Sequence, residues 1–188
     1  QRTLSYADLI IGAALWNVKQ TGLEKQQAVQ EKLSELAVWR EGINAFLTAS
    51  VALAEPSPNG LLMPQQSLLM SGRVHALTNL PRMMHLAREL CGGQICITPD
   101  AASFAAPETK PWLDKFYTIN ETWVADDRRK LLALGRDLLN SDYAGHRLTF
   151  QLFAQSPPFA QLAAVYRTFD LNGPLDFAHK AANLSDTV

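Results

Sequence analysis

The chain has 188 residues, 47% of them hydrophobic, enough for one domain with a core of its own, so a small disulfide-stapled scaffold is excluded. Its 17 Lys and Arg against 18 Asp and Glu leave a net charge of −1, which supplies no field to draw phosphate backbones or acidic membranes. Two cysteines are too few for a secreted disulfide framework or a four-ligand zinc site.

No run nears 18 uninterrupted apolar residues, and the first twenty carry no signal-peptide pattern, so a soluble, cytoplasmic protein is expected. It begins at Gln1 without Met, as expected of a piece of a longer protein. Apolar positions Leu9, Ile10, Ala13, Ala14, Trp16 and Val18 predict a largely buried helix, with Ser5 as a candidate N-cap and Gly22 as its breaker. Val29, Leu33, Leu36, Ile43, Leu47 and Val51 follow at helical steps and predict the clearest amphipathic helix. The segment Pro56 to Gly60, PSPNG, reads as a connection. A third helix is expected after Pro64, with a kink or break at Pro81, continuing from Met83 to Gly92 and Gly93.

Cys96 to Ala106 reads as loop. Pro111 suits a first helical position, and Trp112, Phe116, Ile119, Trp123, Leu131, Leu134 and Leu138 continue at helical spacing. Within that run Asp126, Asp127, Arg128, Arg129 and Lys130 read as a solvated helix face. Asn140 to Gly145 interrupts it. Leu148, Leu152 and Phe153 predict a short helix ended by Ser156, Pro157 and Pro158, and Leu162, Val165, Tyr166 and Phe169 predict a further turn or two. The expected layout is one helical domain over 1–171 and a polar tail over 172–188. Almost nothing alternates with period two, so the fold class is all-α, an antiparallel bundle.

Two breaks combine glycine with polar side chains. Gly92 and Gly93 lack Cβ atoms and allow backbone to approach a flat ring or a pyrophosphate; equally, they cap a helix. Asn140 to Arg147 gathers hydroxyl, carboxylate, imidazole and guanidinium groups at a helix start that favours anions, or Ser141 or Asp142 simply caps the next helix. His75, His85, His146 and His179 are scattered without metal-ligand spacing, and no Walker, G-x-G-x-x-G or G-x-S-x-G pattern occurs. The four tryptophans read as core or interface anchors.

Taken together, RVHALTNLPRMMHLARELCGGQICITPDAASF (73–104) and TWVADDRRKLLALGRDLLNSDYAGHRLTFQLF (122–153) resemble the C-terminal helical domain of the 4-hydroxyphenylacetate 3-monooxygenase oxygenase family. The shared pieces are a proline-containing helix, the Gly92-Gly93 turn, Thr98-Pro99-Asp100, and a basic helix ending in Ser141-Asp142-Tyr143-Ala144-Gly145-His146-Arg147. Asp100 stands where Ser is common, and Tyr143 where Phe is.

The resemblance implies a four-helix bundle of the acyl-CoA dehydrogenase C-terminal domain type with extra short C-terminal helices. It also implies N-terminal and β-domains of the same enzyme as partners, a homotetramer, and reduced FAD supplied by a separate NAD(P)H-dependent flavin reductase. The implied reaction hydroxylates a phenolic substrate ortho to its hydroxyl. By the same resemblance Gly92, Gly93, Asn140, Ser141, Tyr143, Gly145 and Arg147 are the cofactor-binding candidates, Tyr143 walling the ring and Arg147 offsetting phosphate charge or else pairing with a carboxylate of the bundle. No catalytic residue or metal ligand is assigned. A related Fe–S dehydratase needs a His and Cys ligand pair early in this domain, and no Cys precedes Cys91. The alternatives are a free-standing helical interaction module without catalysis, or a domain of an acyl-CoA-processing relative of the same fold.

Overall fold

The structure, a computed structural model, describes residues 1–154 and 156–184. In chain order it contains α1 (Arg2–Gln20), α2 (Gln27–Ala52), the short strands β1 (Glu55–Pro56) and β2 (Leu62–Met63), and α3 (Gln66–Cys91). There follow α4 (Gln94–Ile97), α5 (Ala101–Ala105), α6 (Lys110–Tyr117), α7 (Ala125–Leu139), α8 (Asp142–Phe153), α9 (Pro158–Thr168) and α10 (Asn172–Ala181). The expected all-α class is what the chain adopts. Its only sheet among the described residues is the two-residue antiparallel ribbon Glu55–Met63, Pro56–Leu62, folded back by PSPNG with Gly60 at φ 78°.

Bonds between helices fix their directions. Arg40 of α2 grips Asp8 of α1 at 2.8 Å and Lys32 of α2 meets Glu89 near the end of α3 at 2.6 Å, so α2 runs against both. Tyr6, early in α1, reaches the Leu138 carbonyl late in α7, and Gln20 at the end of α1 meets Arg128 early in α7. The four helices α1, α2, α3 and α7 therefore alternate up and down around a core that includes Ile10, Leu36, Leu80, Met83, Ile95, Leu132 and Leu139. Helix α9 also packs against α3.

Two glycines let α2 and α3 cross closely. A Cβ on Gly42 would stand 2.3 Å from His75 Nε2, and one on Gly72 would stand 2.6 Å from Phe46 Cβ. His75 is thereby a packed core group: its Nε2 donates to the Trp39 carbonyl at 3.1 Å and its Nδ1 accepts from Asn79 at 3.3 Å.

Several elements differ from the sequence reading. Ser5 is no cap, because α1 already begins at Arg2 and the Ser5 amide bonds to the Gln1 carbonyl. Proline does not break α3, which continues through Pro81 to Cys91 because Leu80, Met83, Met84 and Ala87 on the same stripe are buried. The expected loop at 96–106 contains parts of α4 and all of α5, and Asp100 N-caps α5 by accepting from Ser103 N at 2.8 Å. A serine could fill that role, so the Asp there preserves the cap.

The predicted helical run from Pro111 to Leu138 is two helices, parted at Asn120, whose side chain accepts from the Thr122 and Trp123 amides. Most of the 172–188 tail that the structure describes is helix α10, with no buried residue; 185–188 lie outside the described residues. In α2 the buried positions are Leu36, Ile43 and Ser50, spaced by seven, whereas Val51 is exposed. Eight residues past Ile43 the helix has turned roughly 80° off that seam.

Candidate functional site

At the end of α3 the backbone turns at Gly92, with φ 70° and ψ −179°, a conformation closed to residues with a Cβ. Gly92 N donates to the Arg88 and Glu89 carbonyls, so one of the two glycine amides caps the helix. Gly93, in right-handed helical conformation, begins α4. Neither position has another atom within 4 Å of where a Cβ would stand, so both present bare backbone to an open groove. The groove, ≈ 480 Å³, is lined by Gly92, Gly93, His85, Arg88, Glu89, Cys96 and Asn140.

Asn140 enters that groove because the end of α7 is clamped there. Arg88 donates to the Leu139 carbonyl at 2.6 Å, and Asn140 Nδ2 lies 2.9 Å from Cys96 Sγ. From the other side the Tyr6 hydroxyl donates to the Leu138 carbonyl at 3.2 Å. Carbonyls that a helix C-terminus leaves unpaired thus receive side-chain donors from α3 and α1.

The rest of the 140–147 segment is ordered differently from the expected break. Only Asn140 and Ser141 lie between helices, since α8 starts at Asp142. Ser141 is its N-cap: the hydroxyl accepts from Ala144 N at 3.2 Å and donates to the Asp137 carbonyl at 2.9 Å. Gly145 N donates to the Ser141 carbonyl and is engaged in the first helical turn. Tyr143 and Arg147, one turn apart on α8, face Tyr6. The Arg147 guanidinium carbon stands 5.3 Å from the Tyr6 ring centroid and 5.9 Å from that of Tyr143. No carboxylate pairs with it among the described residues, and its Nε is buried without a hydrogen-bond partner. Burial raises the Tyr6 phenol above its ordinary value, and the Arg147 charge works against that rise.

Five of the seven candidates therefore fall into two groups. Gly92, Gly93 and Asn140 share one groove, whereas Tyr143 and Arg147 form a stack with Tyr6, and Ser141 and Gly145 build the helix start between the groups. Sequence reasoning missed two participants, Tyr6 and Arg128. Arg128 is not on a solvated face but 5% exposed, while Asp126, Asp127, Arg129 and Lys130 form the ion pairs expected of that face. The signal was the helix phase: Ala125, Arg128, Leu131, Leu132, Gly135, Leu138 and Leu139 are one buried stripe. Among the described residues no three His, Cys, Asp or Glu side chains converge as metal ligands, and no helix is long and apolar enough to cross a membrane.

Comparison with known proteins finds relatives over nearly the whole chain. Residues 1–183 match the family model described as HpaB, 4-hydroxyphenylacetate 3-hydroxylase C terminal. Over 186 residues, 97% of this chain and 35% of the relative, it is 27% identical to the oxygenase component of 4-nitrophenol 4-monooxygenase/4-nitrocatechol 2-monooxygenase from Rhodococcus opacus. The FADH(2)-dependent monooxygenase TftD of Burkholderia cepacia is 25% identical over 174 residues, 91% of this chain and 33% of the relative.

Among solved structures, the oxygenase component HpaB of 4-hydroxyphenylacetate 3-monooxygenase complexed with FAD superposes with a TM-score of 0.84 at 23% identity, covering 93% of this chain and 36% of that one. An archaeal 4-hydroxybutyryl-CoA dehydratase from N. maritimus superposes at 0.87 with 22% identity, covering 99% and 37%. At such identities the superpositions establish the shared fold. The chain spans about a third of the length of the proteins it matches.

Proposed function

We propose that this chain, which belongs to the 4-hydroxyphenylacetate 3-hydroxylase C-terminal family, is the flavin-contacting and oligomer-forming domain of a two-component, reduced-FAD-dependent monooxygenase acting on a phenol. The remaining walls of the site belong to N-terminal and β-domains of the same enzyme, assembled as a homotetramer. The FAD is reduced by a separate NAD(P)H-dependent flavin reductase. The product is the phenol hydroxylated ortho to its own hydroxyl.

The observation that carries this reading is the convergence of Gly92, Gly93 and Asn140 on one open groove, in a domain whose family match runs over 1–183. Bare glycine backbone admits a flat ring or a pyrophosphate at van der Waals distance. Arg88 and the Asn140 amide bring a cationic and a neutral donor to the same wall, where the Glu89 carboxylate is paired with Lys32 and His85. These groups suit one side of a flavin dinucleotide and leave its other side to another domain. Reduced FAD, when bound, supplies the oxygen activation; the protein orients substrate and excludes water.

Within the site, Gly92, Gly93 and Asn140 meet the cofactor directly, and the exposed Tyr143 ring adds an aromatic wall. Ser141, Gly145 and Arg147 act by fixing the start of α8, the Arg147 guanidinium through its contacts with the Tyr6 and Tyr143 rings. Anaerobic titration tests the reading, comparing this chain with the polypeptide of the reading frame that surrounds it. The expected outcome is weak FADH2 binding and no hydroxylation by the chain alone, with tight binding and catechol formation from 4-hydroxyphenylacetate or a nitrophenol by the longer polypeptide. A longer polypeptide that binds no FADH2 and leaves both phenols intact overturns it.

A further inference from the structure

The Gly92-Gly93 turn is held from below by side chains that no cofactor contact requires. Four carbonyls end α3. Those of Arg88 and Glu89 are taken by the Gly92 amide, and those of Leu90 and Cys91 by Asn17 of α1, whose Nδ2 donates to both at 2.9 and 3.2 Å. Asn17 is 6% exposed, so its amide is committed to this end of the turn.

On the far side of the turn stands Arg128. It is 5% exposed, and its guanidinium donates to the side-chain oxygens of Gln20, at 3.2 Å, and Gln94. Gln94 is the residue after Gly93 and is itself exposed, yet its side chain reaches inward to this buried cation. No carboxylate pairs with Arg128 among the described residues. Its negative complement is the C-terminal end of α1, which finishes at Gln20. A buried cation that satisfies itself on two neutral amides is a costly way to pack α1 against α7, where an apolar residue would serve. The planar guanidinium fork is what lets one side chain hold two acceptors at once.

We infer that Arg128 and Asn17 are positioning residues, holding the two ends of the Gly92-Gly93 turn so that its backbone faces the groove in one conformation. The consequence for cofactor binding rests on the flavin reading of that groove. Through Gln94, Arg128 fixes the start of α4, where Cys96 N bonds the Gly93 carbonyl and Thr98 N bonds the Gln94 carbonyl. Through the α3 carbonyls, Asn17 fixes the approach to Gly92.

Amide hydrogen exchange on the whole chain tests the brace without any cofactor. Gln94→Ala alters an exposed side chain and leaves the fold intact, and it is expected to speed exchange at Cys96 and Thr98 about tenfold. Gln20→Leu, which removes the other acceptor, is expected to speed exchange only at the end of α1. Arg128→Lys is expected to behave like Gln94→Ala, because an ammonium does not span both amides. Unchanged exchange at Cys96 and Thr98 in Gln94→Ala, or wild-type exchange in Arg128→Lys, overturns the inference. In the longer polypeptide the Kd for FADH2 is expected to rise about tenfold in Gln94→Ala. Faster exchange with an unchanged Kd supports the brace and instead overturns the flavin reading of the groove.

Discussion

The guanidinium of Arg147 lies over the ring of Tyr6, 5.3 Å from its centroid, while the hydroxyl of the same ring donates to the Leu138 carbonyl at 3.2 Å. One aromatic side chain on α1 thus joins α8 by its face and the end of α7 by its polar edge. The Arg147 charge is spent on Tyr6 and Tyr143, not on a bundle carboxylate, which removes the pairing that was the simplest alternative role for it.

Tyr6→Phe keeps the ring and strips the only side-chain donor to the Leu138 carbonyl among the described residues, so a loss of about 1–3 kcal/mol is expected. Arg147→Met removes the cation and is expected to cost about 0.5–2 kcal/mol. Urea midpoints of the two single variants and the double variant measure both, and because Tyr6→Phe keeps the ring that the guanidinium faces, the two losses should nearly add. Strongly non-additive losses would show that the hydroxyl and the guanidinium depend on each other, so that the ring loses its place over Arg147 when its tether to Leu138 is cut.

Gly92 and Gly93 are adjacent, yet their substitution should differ in sign. Gly92 has φ 70° and ψ −179°, so Gly92→Ala strains the backbone and is expected to cost about 1–3 kcal/mol. Gly93 has φ −63° and ψ −19° and open space where a Cβ would point, so Gly93→Ala is expected to stabilise by about 0.4–1 kcal/mol through the unfolded chain. If Gly93→Ala also weakens FADH2 binding in the longer polypeptide, its methyl is intruding on the cofactor, since the fold itself has room for it.

Most of the bundle was legible because periodicity survives in the sequence wherever a helix buries a stripe, as from Leu36 to Ile43 and from Leu131 to Leu138. What was illegible depended on partners far along the chain. Pro81 looked like a break because a proline removes one local hydrogen bond, but the burial of Leu80 and Met83 against other helices outweighs that local loss. Arg128 looked solvated because its neighbours in sequence are charged; only the phase of α7 reveals that it points inward. Ser141 illustrates the opposite case. Both readings of it were written in the sequence, cap or ligand, and the hydroxyl is in fact occupied as donor and acceptor within the chain.

The bundle leaves apolar surface between α1 and α7, where Leu9, Trp16 and Leu134 are 44%, 47% and 39% exposed around Gly12 and Ala13. Trp16 is held in place there by an edge contact with Trp123, ring centroids 5.4 Å apart. A contiguous apolar groove of this kind favours association. Sedimentation of the purified chain is expected to show dimers or tetramers, and Leu9→Lys with Leu134→Glu is expected to shift them toward monomer. A wild-type chain that stays monomeric at high concentration would dissociate this groove from assembly.

The two cysteines should behave differently as nucleophiles and as pH sensors. Cys91 is 3% exposed, packed on Gly135, and burial pushes its thiol up to about 11 from an ordinary 9.0; Cys96 is exposed beside Asn140. Iodoacetamide on the native chain is expected to add one label, at Cys96, and a second only after denaturation. The sign of the pH effect follows from which form burial disfavours. The folded state keeps the Cys91 proton where the unfolded chain has released it, so this contribution is complete below the unfolded value near 9 and is lost as pH rises through about 11. Two units of difference correspond to about 2–3 kcal/mol. Urea midpoints measured from pH 7 to pH 11 should therefore fall more steeply in the wild type than in Cys91→Ala, whose own alkaline slope comes only from other groups. Equal slopes would mean that the thiolate of Cys91 finds solvent or a positive partner in the folded chain, and that the end of α3 opens more easily than its packing implies.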